Sequence, residues 1–322
     1  MLDKEKALTA GISLLIILIL SLLMLLEVKG KSQSSLLPNE YRIYFASDRD
    51  GDFDLYSLKY PNGIPVNITK NNTWDGEPCV SLDGEKVVYS SLIKGVTQIC
   101  MMNYDGSNKV QLTNSDIGNN MPSISFDKRK IVFISNRDLN AEVYTMDLKT
   151  GKEKRLTFDP PAGKNITYDK PLPPEVEKTR ERDPSWDPRG GKILFTSYRD
   201  GNADLFLMNA DGTAQKHLTY TTIHYHNIQG VFTPDGKKIV WASDREGDYD
   251  LYIMNRDGTD IKHLTSGGFG SHYPRFSRDG KKIVFCSDLQ APNWEIFIMD
   301  SNGNNIEQVT EDDAEDWTPC IY

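Results

Sequence analysis

"YPRFSRDGKKIVFCSD", residues 273–288, followed five residues later by "WEIFIMDSNGNNIEQVT", residues 294–310, reads as four short strands. The first begins at Tyr273 and turns at Asp279-Gly280 into "KIVFCS". The third is "WEIFIMD", and Asn302-Gly303 turns it into "IEQVT". Asp-Gly and Asn-Gly between apolar runs are strong hairpin signals, because both central residues of the tight turn need positive φ. The same turns recur at Asp83-Gly84, Asp105-Gly106, Asp211-Gly212, Asp235-Gly236 and Asp257-Gly258. Between them lie β-branched and aromatic runs such as "KIVWAS" and "DLYIMN", the pattern of buried strands.

The unit repeats. Ile68-Thr69, Leu112-Thr113, Leu156-Thr157, Leu218-Thr219, Leu264-Thr265 and Val309-Thr310 each close one copy, with Thr spacings of 44, 44, 62, 46 and 45. A period near 44 is that of propeller blades, each a four-stranded sheet. The chain ends show how the array is arranged. "YRIYFAS" (41–47) matches a second strand, whereas "DWTPCIY" (316–322) matches a first strand such as "DGEPCVS" or "RDPSWD". The expectation is an all-β, six-bladed propeller over residues 41–322, closed by pairing of the C-terminal strand with the N-terminal blade. The long 62-residue interval places an inserted loop at 158–182, rich in Pro and charge, expected to lie over one face as a flap, with a disordered insertion as the plainer alternative.

The chain has 322 residues and a formal net charge of −9, which argues against a nucleic-acid partner. Thr9 to Leu26 is an uncharged run of 18 residues flanked by Lys4, Lys6, Lys29 and Lys31. Roughly 20 apolar residues span a bilayer as a helix. Residues 1–28 are therefore expected to form one N-terminal transmembrane helix, with a cleaved signal segment as the alternative. Residues 29–40 read as a linker. The propeller is expected outside the cytoplasm, anchored to the membrane, or secreted if the segment is cleaved.

"PRFSRDGKKIVFCSD", "SDREGDYDLYIMNRDGTDIKHLT" and "SYRDGNADLFLMNADGTAQKHLT" resemble the WD-type repeats of the TolB-like six-bladed β-propeller family. They are also similar to the propellers of prolyl-oligopeptidase-class peptidases. The resemblance implies an extracytoplasmic binding scaffold. It extends to the propeller alone, without the N-terminal α/β domain of TolB or the hydrolase domain of the peptidases.

"SDRDGDFDLY" (47–56) carries Asp48, Asp50, Asp52 and Asp54 at alternate positions, a spacing seen in calcium loops. Its counterparts in other blades place Arg49, Arg137, Arg199 and Arg245 at one position and Asp54, Glu142, Asp204, Asp250 and Glu295 at another. A fixed cation opposes divalent metal binding. The arginine is expected instead to pair with the carboxylate five residues on, or with loop backbone. Calcium or another divalent cation at Asp48, Asp50, Asp52 and Asp54 is the weaker alternative.

Residues at the start of each first strand should ring the channel mouth. Trp74, Asp75, Glu77, Glu181, Asp183, His226, His272, Asp316 and Trp317 are the candidate ligand-binding set, with Asn119, Asn227 and Gln229 beside them. Such a ring suits a cation, a basic peptide or a sugar. The plainer alternative is that these side chains only solvate a wet channel. No nucleophile elbow, zincin or Walker motif occurs, so no catalytic residue is assigned. The leading function is a scaffold for a protein, peptide or glycan partner, with no cofactor and no enzymatic activity. The rival is a metal-dependent lyase or hydrolase acting on a polyanionic sugar-like substrate, using His226, His272 and His224. Cys79, Cys100, Cys286 and Cys320 read as buried thiols, with a Cys79–Cys320 disulfide as the alternative in an exported protein.

Overall fold

The computed structural model describes residues 40–138, 140–158, 180–220, 225–289 and 293–322. The expected anchor at 1–28, the linker before Glu40, His224 and most of the inserted loop lie outside them. The described residues form strands and turns, and no helix among them is long and apolar enough to cross a membrane.

Twenty-four strands form six four-stranded antiparallel sheets. Strands β1 (Tyr41–Ser47), β2 (Asp54–Tyr60) and β3 (Val66–Asn67) belong to blade I, and the second blade is β4 (Asp75–Val80), β5 (Lys86–Ile93), β6 (Val96–Asn103) and β7 (Val110–Gln111). Blade III is β8 (Asn119–Ile124), β9 (Lys130–Ser135), β10 (Glu142–Asp147) and β11 (Glu153–Arg155). Blade IV is β12 (Glu181–Trp186), β13 (Lys192–Ser197), β14 (Asp204–Asn209) and β15 (Lys216–His217). Blade V is β16 (Asn227–Phe232), β17 (Lys238–Ser243), β18 (Asp250–Asn255) and β19 (Lys262–His263). Blade VI is β20 (Ser271–Phe276), β21 (Lys282–Ser287), β22 (Glu295–Asp300) and β23 (Glu307–Gln308). The last strand, β24 (Asp316–Ile321), lies against β1 in blade I, with Asp316 opposite Ser47 and Ile321 opposite Ile43. Because β12 starts at Glu181, residues 181 and 182 belong to a strand rather than to the inserted loop.

The second and third strands carry the core. "KIVWAS" and "DLYIMN" are buried at all but their end residues. Their side chains fill the spaces between sheets, one apolar cluster for each pair of neighbouring blades. The fourth strands are only two or three residues long and largely exposed, so each blade presents a short outer edge.

The recurring threonine has a physical reason. Its Oγ1 accepts the backbone N–H of the second residue of the third strand and donates to the first residue of that strand. Thr219 accepts from Leu205 at 2.9 Å and donates to Asp204 at 2.7 Å. Thr310 does the same with Ile296 and Glu295, at 2.9 and 2.6 Å. Thr69, Thr157 and Thr265 repeat it on Asp54, Glu142 and Asp250. In blade II the acceptor is the neutral Gln98, 2.8 Å from Thr113. These carboxylates are thus committed to latching the fourth strand.

The hairpin arginines take a different partner from the expected one. Arg49 reaches both oxygens of Asp316, at 3.0 and 2.9 Å, and Arg199 reaches Glu181 at 2.6 Å. Arg137 and Arg245 bond Asn119 and Asn227 at 3.2 and 2.9 Å. Each also donates Nε–H to the serine ending its second strand. Each arginine therefore ties its hairpin to the start of the innermost strand, not to the acid five residues on.

Candidate functional site at the channel mouth

All six inner strands share a distortion. Glu77, Met121, Asp183, Gln229, Tyr273 and Thr318, the third residue of each, have φ between 49° and 59°. Pairing with the second strand shifts register at that point in every blade. The residue that follows is Pro in five blades and Gly230 in the sixth. Proline has no N–H to contribute to a ladder, so it is at home at a bulge. Side chains of these bulge residues bond the backbone of the next blade. Glu77 Oε2 accepts Met121 N–H at 2.7 Å, and Gln229 Oε1 accepts Tyr273 N–H at 2.8 Å. Thr318 Oγ1 accepts Glu77 N–H at 3.3 Å, and Met121 Sδ accepts Asp183 N–H at 3.5 Å. The result is a polar belt running between inner strands.

Charge concentrates on this belt. Burial pushes the Glu77 carboxyl upward, against bonds from Ser90 and Met121 N–H and the nearby Arg182. For Arg182 burial opposes the charge, but Asp183, Tyr273, Tyr198 and Glu77 outweigh it and hold the guanidinium protonated.

Beside the belt runs an arc of half-buried rings. Trp294 stacks on Trp317 with centroids 4.4 Å apart, and His272 meets the edge of Trp294 at 5.3 Å. Tyr249 lies 4.6 Å from His272, Tyr273 meets Trp317 at 6.4 Å, and Tyr198 lies 6.0 Å from His226. Arg180 covers the Tyr198 ring at 4.7 Å. Burial lowers His272 to about 4, despite Asp288 and Asp244, so its ring is neutral at neutral pH.

The sequence-derived candidates divide. Glu77, Asp183, His226, His272 and Trp317 belong to the belt or the arc. Asp75, Glu181 and Asp316 are fully buried behind them, at the first position of their strands. Asp316 is held by Arg49 and Glu181 by Arg199, while Asp75 accepts from Asn71 at 2.5 Å. Trp74 packs flat on Gly76, where an added Cβ would come within 2.5 Å of the ring. Trp294, Tyr198, Tyr249, Tyr273, Arg180 and Arg182 were missed. The Pro after the bulge is the signal that marks Tyr273; Trp294, just before a third strand, shares its repeat position with Phe53 and Tyr249, an aromatic recurrence that could have flagged it.

The acids of 47–56 are taken up by separate hydrogen bonds, Asp50 and Asp54 meeting only at the shared Asn67 amide. Asp48 accepts Glu315 N–H at 2.8 Å, Asp50 takes Tyr56 and Asn67, and Asp54 takes Thr69 and Asn67. Among the described residues no three His, Cys, Asp or Glu side chains are placed to hold a metal ion. His226 Nδ1 accepts Ala203 N–H at 3.1 Å, and His272 Nδ1 lies 3.3 Å from Gln229 Oε1. All four cysteines are free thiols.

A six-bladed ring of such sheets defines the class. The family described as TolB beta propeller domain matches residues 27–162 and 183–321, and the chain belongs to it. It is 27% identical over 169 residues to the uncharacterized protein Atu1656 of Agrobacterium fabrum, spanning about half of that relative's length (53%) and 50% of its own. TolB from Acinetobacter baumannii superposes with a TM-score of 0.70 at 22% identity, over 87% of this chain and 66% of that one. An oligogalacturonate lyase in complex with manganese gives 0.56 at 15% identity, covering 84% and 74%. A nidogen/laminin complex gives 0.64 at 10%, covering 88% and 98%. At these identities the likeness is one of fold.

Proposed function

We propose that the chain is a membrane-tethered, extracytoplasmic binding propeller whose channel mouth holds a protein, peptide or glycan partner. The observation that carries this reading is the half-buried arc from Trp317 through Trp294 and His272 to Tyr249, lying beside Glu77, Arg182 and Asp183. Rings with one edge still wet, next to fixed charges of both signs, suit partner recognition, because they give contact area at low entropy cost. The likeness to TolB and to the propeller of a nidogen/laminin complex agrees with it. The same reading takes residues 1–28 as one membrane-spanning helix and β24 as the strand that closes the ring.

The test is capture of a partner from intact membranes by proximity labelling with the full chain, followed by binding of that partner to the purified protein. Replacing Trp294 and Trp317 with Ala should abolish binding and leave the fold intact. Undiminished binding by that variant and by Arg182→Gln would move the function away from the mouth.

The alternative, a metal-dependent lyase or hydrolase on a polyanionic sugar-like substrate, rests on the likeness to the lyase. The donor set of this chain does not fit it, since His226 and His272 are engaged separately. Stoichiometric metal in the purified protein, lost in His226→Ala with His272→Ala, would favour it.

A further inference from the structure

The inner strands also meet at their other ends, beyond the bulge. There a cavity of about 150 Å³ is lined by the last residues of β4, β8, β12, β16, β20 and β24 and the turns that follow. It lies on the other side of the bulge from the mouth: the belt side chains are the third residue of each inner strand, and the lining starts at the fourth, Pro122 and Pro184, and runs to the strand ends. Its walls mix apolar and polar groups: Ile124, Phe232, Phe276 and Ile321 lie among them, with Phe126 at 58% exposure beside solvent.

Beside the hydroxyls of Ser81, Ser123 and Ser185, the polar lining includes two arginines. Arg275 donates Nη1–H to Pro274 O at 2.9 Å, and Arg278 donates to the Tyr322 hydroxyl at 2.7 Å. Neither pairs with a carboxylate among the described residues, and no lining residue is acidic, in a chain of net charge −9. Trp186 also lines the cavity; it is 8% exposed, and its buried indole N–H has no hydrogen-bond partner. A buried donor without an acceptor is uncommon in a folded protein. Two guanidinium groups that face no carboxylate, beside a space with room for one ring, suit an organic anion. A cavity of roughly this size is enough to hold a benzene molecule.

We infer that this cavity binds a small monoanion with an apolar or aromatic body, its carboxylate meeting Arg275 and Arg278. The site lies on the opposite side of the bulge from the mouth of the proposed function.

The test uses the full chain in detergent with phenylacetate and its neutral isostere phenylacetamide, followed by calorimetry. Phenylacetate should bind, and phenylacetamide should bind at least about tenfold more weakly, because it forfeits the charge-assisted bonds. Arg275→Gln should weaken phenylacetate by a similar factor. Arg278→Gln, at an exposed position, serves if the first variant does not fold. Cys79 is the one half-exposed thiol and lies on the cavity wall, so phenylacetate should slow its alkylation by N-ethylmaleimide. Trp294→Ala at the mouth should leave all of this unchanged. Absence of phenylacetate binding, or equal binding of acid and amide, overturns the inference. So does binding that ignores both arginine variants and leaves Cys79 equally reactive.

Discussion

Replacing Thr219 with Val keeps the shape of a buried side chain and removes only its hydroxyl. Thr219 is 6% exposed, and that hydroxyl is held on both sides, accepting from Leu205 N–H and donating to Asp204. The variant strands a backbone N–H inside the blade and takes one charge-assisted bond from a buried carboxylate, which keeps the 2.9 Å bond from Asn227. An unsatisfied buried donor and a lost bond to a charged group together cost about 3 kcal/mol. Thr113 supplies the control, because its geometry is the same but its acceptor is the neutral Gln98. Thr113→Val should therefore cost about 2 kcal/mol, the difference being the charge on the acceptor. Urea unfolding followed by tryptophan fluorescence reads both, as midpoint shifts at constant slope. A cost below ~1 kcal/mol for Thr219→Val, or a larger cost for Thr113→Val, would refute the latch as a source of stability.

Three further outcomes are expected. Burial raises Asp316 to about 6, with Ser47 and Arg49 opposing. The folded protein then binds a proton that the unfolded chain, near 3.8, releases, so this group's contribution grows as pH falls from about 6 towards about 4. In Asp316→Asn that gain, on the order of 2 kcal/mol, should vanish from urea midpoints compared at neutral and acidic pH. His272 carries the opposite sign: its contribution is complete above about 6.5 and is lost as pH falls to about 4. Its imidazole ¹⁵N shifts should stay flat through mildly acidic pH, and a midpoint near ~6.5 would show the ring to be solvated. Deleting residues 316–322 removes β24 and its pairing with β1. The truncated protein should lose its cooperative unfolding transition, and an unchanged melting temperature would show that β24 does not hold the ring together.

Local features were legible because they act over a few residues. Asp-Gly turns and alternating apolar runs set the hairpins, and their period gave the blade count. The Leu-Thr punctuation was visible as a repeat, but its bonds to Asp204 or Glu295 were not. Those partners lie 15 residues away and meet only through strand pairing. Arg49 shows the same limit more sharply. Spacing pointed to Asp54, yet the guanidinium turns to Asp316, 267 residues away, because β24 lies beside β1.

By itself the sequence determined a six-bladed all-β ring, the hairpins that make it and a belt of polar residues at the starts of its inner strands. Only the tertiary structure decided which side chains stay accessible beside that belt. Asp75, Glu181 and Asp316 sit at the right height but are fully buried, whereas Trp294, Tyr249 and Tyr273 gather around His272 across blades V and VI. The cavity beside Arg275 and Trp186 belongs to the same category. Strand periodicity fixes which face a side chain takes within its own sheet, but the neighbours it meets across the axis depend on the curvature that brings six sheets together.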